Sequence, residues 1–144
     1  MAYIITNMGE QRILSGGLCR VGSPLMTAGL VMSAYELTAT MTLTSVTIFS
    51  AGRAGNGLCT AQLSATGWCA PFLSAGYATI SATGEGLRFA FTAAPNKSAV
   101  GYALYDDTNM FILETFSDGP YYLSNAGDTV TVTPYVKLGS GSGN

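Results

Sequence analysis

The sequence predicts an all-β fold, an antiparallel β-sandwich or jelly roll with one short N-terminal helix. Apolar and polar residues alternate with a period of two in several segments, as they do in half-buried strands. Residues that favour turns separate these segments, so roughly seven to nine short strands follow one another without intervening helices. A convincing helix-start signal occurs only near the N-terminus.

The helix is predicted from a capping pattern. Asn7 and Glu10 have the spacing of a capping box, with Asn in place of the usual Ser or Thr. Residues 8–14 then form about two helical turns, and Gly16-Gly17 would end them. We therefore expect one short helix, capped by Asn7, behind an N-terminal arm of residues 1–6.

The clearest alternation covers residues 35–44, where apolar side chains share one face and mainly threonines occupy the other. It predicts a half-buried antiparallel strand. The phase slips after Thr44, so we expect a bulge or corner before Val46. Pro134 lacks an N–H group and predicts a sheet edge or a bulge in the last strand. The other predicted strands cover residues 58–63, 68–73, 77–82, 87–93 and 129–138, and a turn is predicted at Pro95-Asn96.

Residues 102–116 predict a hairpin. The segment reads YALYDDTNMFILETF, two apolar runs joined by a short acidic turn. Asp106-Asp107-Thr108-Asn109 supplies the side chains that favour such a turn. Because residues 110–113 are apolar on both faces, we expect this hairpin to lie at the centre of its sheet.

Length and composition indicate a single domain, residues 1–144, with a flexible C-terminal tail at residues 139–144. A chain of this length buries roughly 68–70% of its unfolded surface, so it needs neither a metal nor a disulfide to fold. Charged residues make up 10% of the chain, against about 25% in ordinary proteins. A polar but uncharged surface is readily covered by another protein, because few ions must be desolvated.

The charge pattern argues against nucleic acid and membranes as partners. The net charge is −2 and the basic residues are scattered, so no basic stripe exists. No window approaches about 18 continuous apolar residues, and the N-terminus lacks the features of a secretory signal. Cys19, Cys59 and Cys69 have no metal-site spacing, and we interpret them as reduced core residues of a protein made in a cytoplasm.

The residues also argue against an enzyme, a cofactor and a metal site. The absence of histidine removes Ser-His-Asp triads, Cys-His pairs and histidine metal sites. Among the carboxylates, Glu114 is the best candidate for acid–base chemistry because its strand neighbours are apolar. An outward or edge-facing glutamate is nevertheless the favoured interpretation. The turn at Asp106 resembles the start of a calcium loop, but Phe111 stands where that loop requires glycine.

Several aromatic residues are candidates for binding. Tyr121 and Tyr122, together with Tyr3, Tyr35 and Trp68, could form a sugar-binding platform or a protein-contact patch. Half-exposed aromatic side chains that cap one end of a sandwich are the simpler explanation. The sequence leaves these alternatives open.

The chain opens with MAYIITNMGEQRIL, a short arm followed by a Thr-Asn step and a Gly-Glu helix. Later it carries MTLTSVTIFSAG, LRFAFTAA, SAVGYALYDDTNMFILETF and YYLSNAGDTVTVTPYVKL. These stretches resemble small bacteriophage virion structural proteins in their strands, in the strand-and-turn of the hairpin, and in the Asn-Ala-Gly-Asp-Thr turn that enters a Thr/Val strand. The resemblance covers about half of the chain. Residues 20–40 look like extra material and residues 52–75 do not fit the pattern.

The resemblance implies a structural role in the virion. Such proteins are head decoration (cement) proteins or small tail- or fibre-associated proteins, and jelly-roll and sandwich domains are frequent among cement proteins. We therefore expect a decoration protein that binds the major capsid protein and stabilises the mature head lattice, as a homodimer or homotrimer. It would be made and assembled in the cytoplasm of the bacterial host. The alternatives are a tail or fibre component, bound to tail proteins, and a carbohydrate-binding module.

The candidate partner contacts are Tyr3, Ile4, Ile5, Tyr121 and Tyr122. The first three make the N-terminal arm apolar, so the arm could add a strand to a neighbouring subunit. On this hypothesis, deletion of residues 1–6 releases the protein from heads and leaves its fold intact. Undiminished binding of the truncated protein to heads would contradict the hypothesis.

Overall fold

The computed structural model describes residues 3–14, 26–34, 37–49, 60–63, 72–74, 77–81, 87–91, 94–106 and 109–138. This part of the chain is mostly β, with antiparallel sheets and one α-helix, which confirms the predicted all-β class. The finer prediction of jelly-roll connectivity stays a prediction.

The elements of the described residues follow in chain order. The helix α1 spans Asn7–Leu14, and Leu43–Ser45 forms a short 3-10 turn. The strands are β1 Tyr3–Ile5, β2 Met26–Ala34, β3 Val46–Ile48, β4 Thr60–Leu63, β5 Phe72–Ser74, β6 Tyr77–Ser81, β7 Leu87–Ala90, β8 Lys97–Ala99, β9 Gly101–Asp106, β10 Asn109–Thr115, β11 Tyr121–Leu123, β12 Thr129–Val132 and β13 Tyr135–Leu138.

The largest sheet has the strand order β1-β10-β9-β2-β3, and β4 also pairs with β2. All of these pairings are antiparallel. The predicted hairpin is confirmed as β9 and β10. It lies inside the sheet, as expected, because β1 pairs with β10 and β2 pairs with β9.

Both faces of the largest sheet are buried. On one face Leu104 and Ile112 belong to a core cluster, which we call the first core. On the other face Ala103 and Leu113 belong to a second core, together with Met41. Burial on both faces explains why β10 reads as a continuous apolar run rather than an alternating one.

A second layer packs on the first core. It consists of the ladders β7–β12, β8–β11 and β5–β6–β13. Their inward side chains join the same cluster and include Phe89, Ala99, Leu123, Val130 and Val136. One apolar cluster therefore holds the two layers together, as in a sandwich.

The predicted strand over residues 35–44 is wrong for the part that the structure describes. Residues 37–42 contain no strand. The Thr42 N–H donates to Ser45 Oγ (3.1 Å) and the Ser45 N–H donates to the Thr42 carbonyl (2.9 Å), which tightens the chain into the 3-10 turn. Such local hydroxyl-to-backbone bonds compete with strand pairing. Met41 is buried against the second core, so this alternating segment covers the second core without forming a strand. β3 begins at Val46, where the corner was predicted.

The longest described strand, β2, falls where no strand was predicted. It pairs with β3, β4 and β9, and Leu30 and Val31 are buried on its opposite faces. Two buried faces remove the alternation that would have identified it. Gly29 interrupts the apolar run because space is short there: a Cβ atom would lie 3.0 Å from the Tyr105 ring and 3.1 Å from the Ile48 side chain.

Two predictions that rest on proline concern Pro134 and Pro95. The last predicted strand is two strands, β12 and β13, with Pro134 between them. β12 pairs with β7 and β13 pairs with β6, so the missing N–H separates two ladders. Residues 94–96 lie outside the strands, directly before β8, and Asn96 has a positive φ of 53°, a conformation that Asn adopts more readily than most residues.

Helix α1 is confirmed, but its N-cap is Thr6 rather than Asn7. Thr6 Oγ1 accepts a hydrogen bond from the Gly9 N–H at 3.1 Å. The same hydroxyl donates to the Met110 carbonyl oxygen of β10. Gly9 allows the helix to approach β10 closely, because a Cβ atom at this position would lie 2.4 Å from the Phe111 carbonyl oxygen.

The expected N-terminal arm is, in its described part, an edge strand of the chain's own largest sheet. β1 pairs with β10 in the register Tyr3↔Glu114, Ile4↔Leu113 and Ile5↔Ile112. Ile4 packs against the second core and Ile5 against the first. The segment is therefore not a free arm, and its deletion is expected to weaken the fold.

Thr6 provides a direct test of how β1 and α1 are tied to the sheet. We predict that Thr6→Val lowers the free energy of unfolding by about 2 kcal/mol, because the helix loses its cap and a buried carbonyl loses its donor. Urea denaturation of the wild type and the variant measures this difference. Thr6→Ser keeps the hydroxyl and is expected to retain most of the stability. Equal losses in both variants would contradict the hydrogen-bond account.

Candidate functional site

Tyr3 joins the edges of two sheets. Its hydroxyl donates to the Tyr135 carbonyl oxygen (3.1 Å) and accepts from the Lys137 N–H (3.2 Å). The Tyr3 hydroxyl thus bonds to a carbonyl and to an N–H group of β13, as the backbone of a neighbouring strand would. The Tyr3 and Tyr135 rings stack with centroids 5.1 Å apart and an interplanar angle of 8°, so β1 and β13 are connected through both backbone and side chains.

The Lys137 ammonium lies over the faces of three tyrosines. Its Nζ atom is 4.8 Å from the ring centroid of Tyr3, 4.8 Å from that of Tyr77 and 5.7 Å from that of Tyr135. Each ring face carries the negative end of the aromatic quadrupole and attracts the cation. We call these four residues the tyrosine–lysine cluster.

Glu114 is hydrogen-bonded to this cluster, and its position differs from the one predicted from the sequence. An outward or edge-facing side chain was favoured, but Glu114 is 8% exposed. It is flanked on the neighbouring strands by Tyr3 and Tyr102, and its carboxylate accepts a hydrogen bond from the Tyr135 hydroxyl. The Tyr135 hydrogen bond thus links the carboxylate on β10 to β13 in the second layer.

Burial and this carboxylate change the acidity of two tyrosines. Burial, then the hydrogen bond to Glu114, raises the pKa of Tyr135 above its ordinary value. Burial, then the charge of Glu114, raises the pKa of Tyr102 as well. The Tyr102 hydroxyl has no hydrogen-bond partner of regular geometry in the described part of the chain. Both phenols are therefore held in their neutral form.

Two grooves border the tyrosine–lysine cluster. The first, which we call the Phe72 groove, has a volume of about 430 Å³ and is lined by Phe72, Ser74, Tyr77, Thr79, Ser81, Thr133, Tyr135 and Lys137. The second, the β1 groove, has a volume of about 500 Å³ and is lined by Tyr3, Ile4, Ile5, Glu10, Ala39, Tyr77 and Lys137. Tyr77 and Lys137 line both grooves, so the cluster lies where the two grooves meet.

The structure brings Tyr121 and Tyr122 together on β11 but gives them different environments. Tyr121 packs against Phe116 (centroids 5.0 Å apart) and the first core, and its hydroxyl donates to Asp118. This hydrogen bond raises the pKa of Tyr121. Tyr122 is 60% exposed. Both border a groove of about 410 Å³ that also contains Asp128, but the two rings do not form one exposed platform.

The other residues that the sequence singled out lie in the β1 groove, in an ion pair or outside the described residues. Tyr3, Ile4 and Ile5 line the β1 groove. The Asp106 carboxylate accepts a hydrogen bond from Arg12 at 2.6 Å, so the side chain at the start of the turn that resembles a calcium loop is paired with a cation of the protein. Tyr35, Trp68 and the three cysteines lie outside the described residues.

The sequence interpretation missed Tyr77, Tyr135 and Lys137. The signal was present in part, because Tyr135 and Lys137 lie two residues apart in a predicted strand and therefore share a face. Tyr77 could be added only with the pairing register, in which Lys137 lies opposite Thr79 on β6. Tyr3 comes from the other sheet and gave no sequence signal for this contact.

Comparisons with known protein families, with curated proteins and with solved structures find no match for this chain. In the described residues, no helix has the length and apolar character needed to span a membrane. Within the same residues, no group of three or more His, Cys, Asp or Glu side chains is placed to hold a metal ion.

The raised tyrosine pKa values predict how stability depends on pH. Above about pH 10 the tyrosines of the unfolded chain lose protons, whereas Tyr102 and Tyr135 stay protonated in the fold. The free energy of unfolding is therefore expected to fall as the pH rises above about 10. Urea denaturation between about pH 8 and pH 11 measures this slope.

Matched variants test how much of this slope comes from Tyr135. Tyr135→Phe removes one of the two groups and is expected to make the fall shallower, and it also lowers stability at neutral pH by about 1–3 kcal/mol because Glu114 loses a donor. Tyr122→Phe alters an exposed ring and is expected to keep the wild-type slope. A slope that is equal in all three proteins would refute the assignment.

Proposed function

We propose that this protein is a bacteriophage virion structural protein, a capsid decoration protein that binds and stabilises the mature head lattice. The proposal combines the sequence resemblance with one observation on the surface, the exposed apolar edge of the β5–β6–β13 sheet. The protein acts through contact with the major capsid protein and not through catalysis.

The edge strand β5 carries the argument. All three of its residues are exposed, and Leu73 is 79% exposed. Leu73 lies opposite Ala78 on β6, and Ala78 lies opposite Leu138 on β13, so these three residues form one apolar row across the sheet. Ala78 and Leu138 are exposed as well. The row therefore continues the inward, apolar face of this sheet beyond the first core.

The chemistry of this edge favours a protein partner. Soluble proteins usually protect sheet edges with charged residues, bulges or covering segments. Neither β5 (FLS) nor β6 (YATIS) carries a charge, and β5 has no second neighbour among the described strands. An exposed apolar row at an uncharged edge is expected where another protein completes the burial.

Capsid binding would use this surface many times in one particle. A protein that binds only the mature lattice stabilises it by the difference in its affinity for the two lattice states. Burial of one leucine side chain contributes about 1.5–3 kcal/mol. A modest contact repeated over the lattice therefore gives a large total stabilisation.

Immunogold labelling tests the location. Antibody against this chain is applied to intact particles and to separated heads and tails. Dense label over the head shell is expected. Label confined to the tail would replace the decoration role with a tail or fibre role, and particles without label would refute a virion role.

Leu73 tests the contact surface. We predict that Leu73→Ser weakens binding to isolated heads by about tenfold or more, which corresponds to the loss of about 1.4 kcal/mol of apolar burial. Its thermal unfolding should stay close to that of the wild type, because the side chain is exposed. Leu37→Ser, at a side chain that is 41% exposed in another segment, is the control and should bind normally. Full binding by Leu73→Ser would eliminate this edge as the contact.

A further inference from the structure

We infer that the Phe72 groove is a binding site for an acidic saccharide, whose carboxylate pairs with Lys137 while the sugar ring lies against the aromatic side chains. This inference concerns a different ligand and a different surface from the proposed capsid contact. It stands on the lining of the groove and on the position of one cation.

The Lys137 ammonium lies where it could pair with the anionic group of a ligand. Lys137 makes no ion pair with any described carboxylate, and its ammonium is held instead by the tyrosine faces. Cation–π contacts fix the position of the ammonium but leave its N–H groups without an anionic acceptor. A ligand carboxylate supplies that acceptor through a charge-assisted hydrogen bond.

The two grooves differ in the charge of the side chains that line them, and this difference decides which groove suits an anion. Glu10 is one of the residues that line the β1 groove, and its carboxylate repels a negative ligand. The described lining of the Phe72 groove contains no carboxylate. Charge complementarity therefore directs an acidic group into the Phe72 groove.

The other lining groups fit a sugar ring. Phe72 is partly exposed at 46% and, with Tyr77, offers aromatic surface, against which the C–H face of a pyranose packs. Ser74 and Thr133 are exposed and provide hydroxyls that both donate and accept. The volume of about 430 Å³ lies within the usual range for small-molecule sites, about 300–1,000 Å³.

Other anionic ligands fit this groove less well. A nucleic acid requires several cations along its phosphates, whereas the residues described in the lining of this groove include one, Lys137. An acidic peptide offers amide groups that need fixed partners, whereas rotating hydroxyls beside aromatic rings match a ring that carries many hydroxyls. A small saccharide that carries a single carboxylate matches both the one cation of the described lining and its hydroxyl groups.

The probe is methyl galactopyranosiduronate, which carries one carboxylate, and the neutral methyl galactopyranoside, which has a CH2OH group in its place, is the uncharged counterpart. Binding of each to the isolated protein is measured by isothermal titration calorimetry. We expect the acidic probe to bind and the neutral one to bind at least about tenfold more weakly, in line with the loss of one charge-assisted hydrogen bond. Equal affinity for the two probes, or no binding of the acidic one, would overturn the inference.

Two lysine variants locate the site. Lys137→Met keeps the aliphatic stem and removes the charge, and it is expected to weaken acidic-saccharide binding by about tenfold. Lys97→Met removes one exposed charge from β8, in another ladder, and should bind as the wild type does. Equal affinities in the two variants would place the site elsewhere.

A second readout does not depend on the stability of the variants. Amide NMR shifts of the wild-type protein on titration with the acidic probe should concentrate in β5, β6 and β13. Shifts concentrated elsewhere would overturn the assignment. Because these measurements use no phage particle, their failure leaves the head-binding proposal intact, and immunogold results leave the saccharide site intact.

Discussion

The hydroxyl of Tyr3 makes the connection on which much of this structure depends. It bonds to the backbone of β13 on both sides, at Tyr135 and Lys137, and so joins the edge of the largest sheet to the edge of a smaller one. The stacked ring of Tyr135 then directs its own hydroxyl to Glu114. A buried carboxylate, two sheet edges and a cation are thereby held by a few aromatic side chains from both layers.

This arrangement explains how a chain with few charges organises its surface. The closed edge at β13 leaves β5 as the exposed, uncharged edge of the same sheet. The two sides of that sheet then offer different chemistry. One side continues the apolar core outward through Leu73, and the other carries aromatic rings, hydroxyls and Lys137. Protein contact and saccharide binding can therefore use separate surfaces of one three-stranded ladder.

The sequence predicted what local patterns encode. The hairpin of β9 and β10 and helix α1 were predicted correctly from signals that lie within a few residues, although the helix is capped by Thr6 and not by the predicted Asn7. β2 was missed since burial of both faces removes alternation, and residues 37–42 were misassigned since threonine hydroxyls bond locally. The candidate site was found only through Tyr3. Its partners lie more than seventy residues away, and the burial of Glu114 depends on sheet pairing that no local pattern reveals.

We propose that this chain decorates the phage head through contact with the major capsid protein. The most direct test is the number of copies of this chain per copy of the major capsid protein in purified particles, measured by quantitative mass spectrometry with isotope-labelled peptides. For a decoration protein we expect a fixed ratio set by the lattice, with many copies in each particle. A few copies per particle, or none, would contradict it.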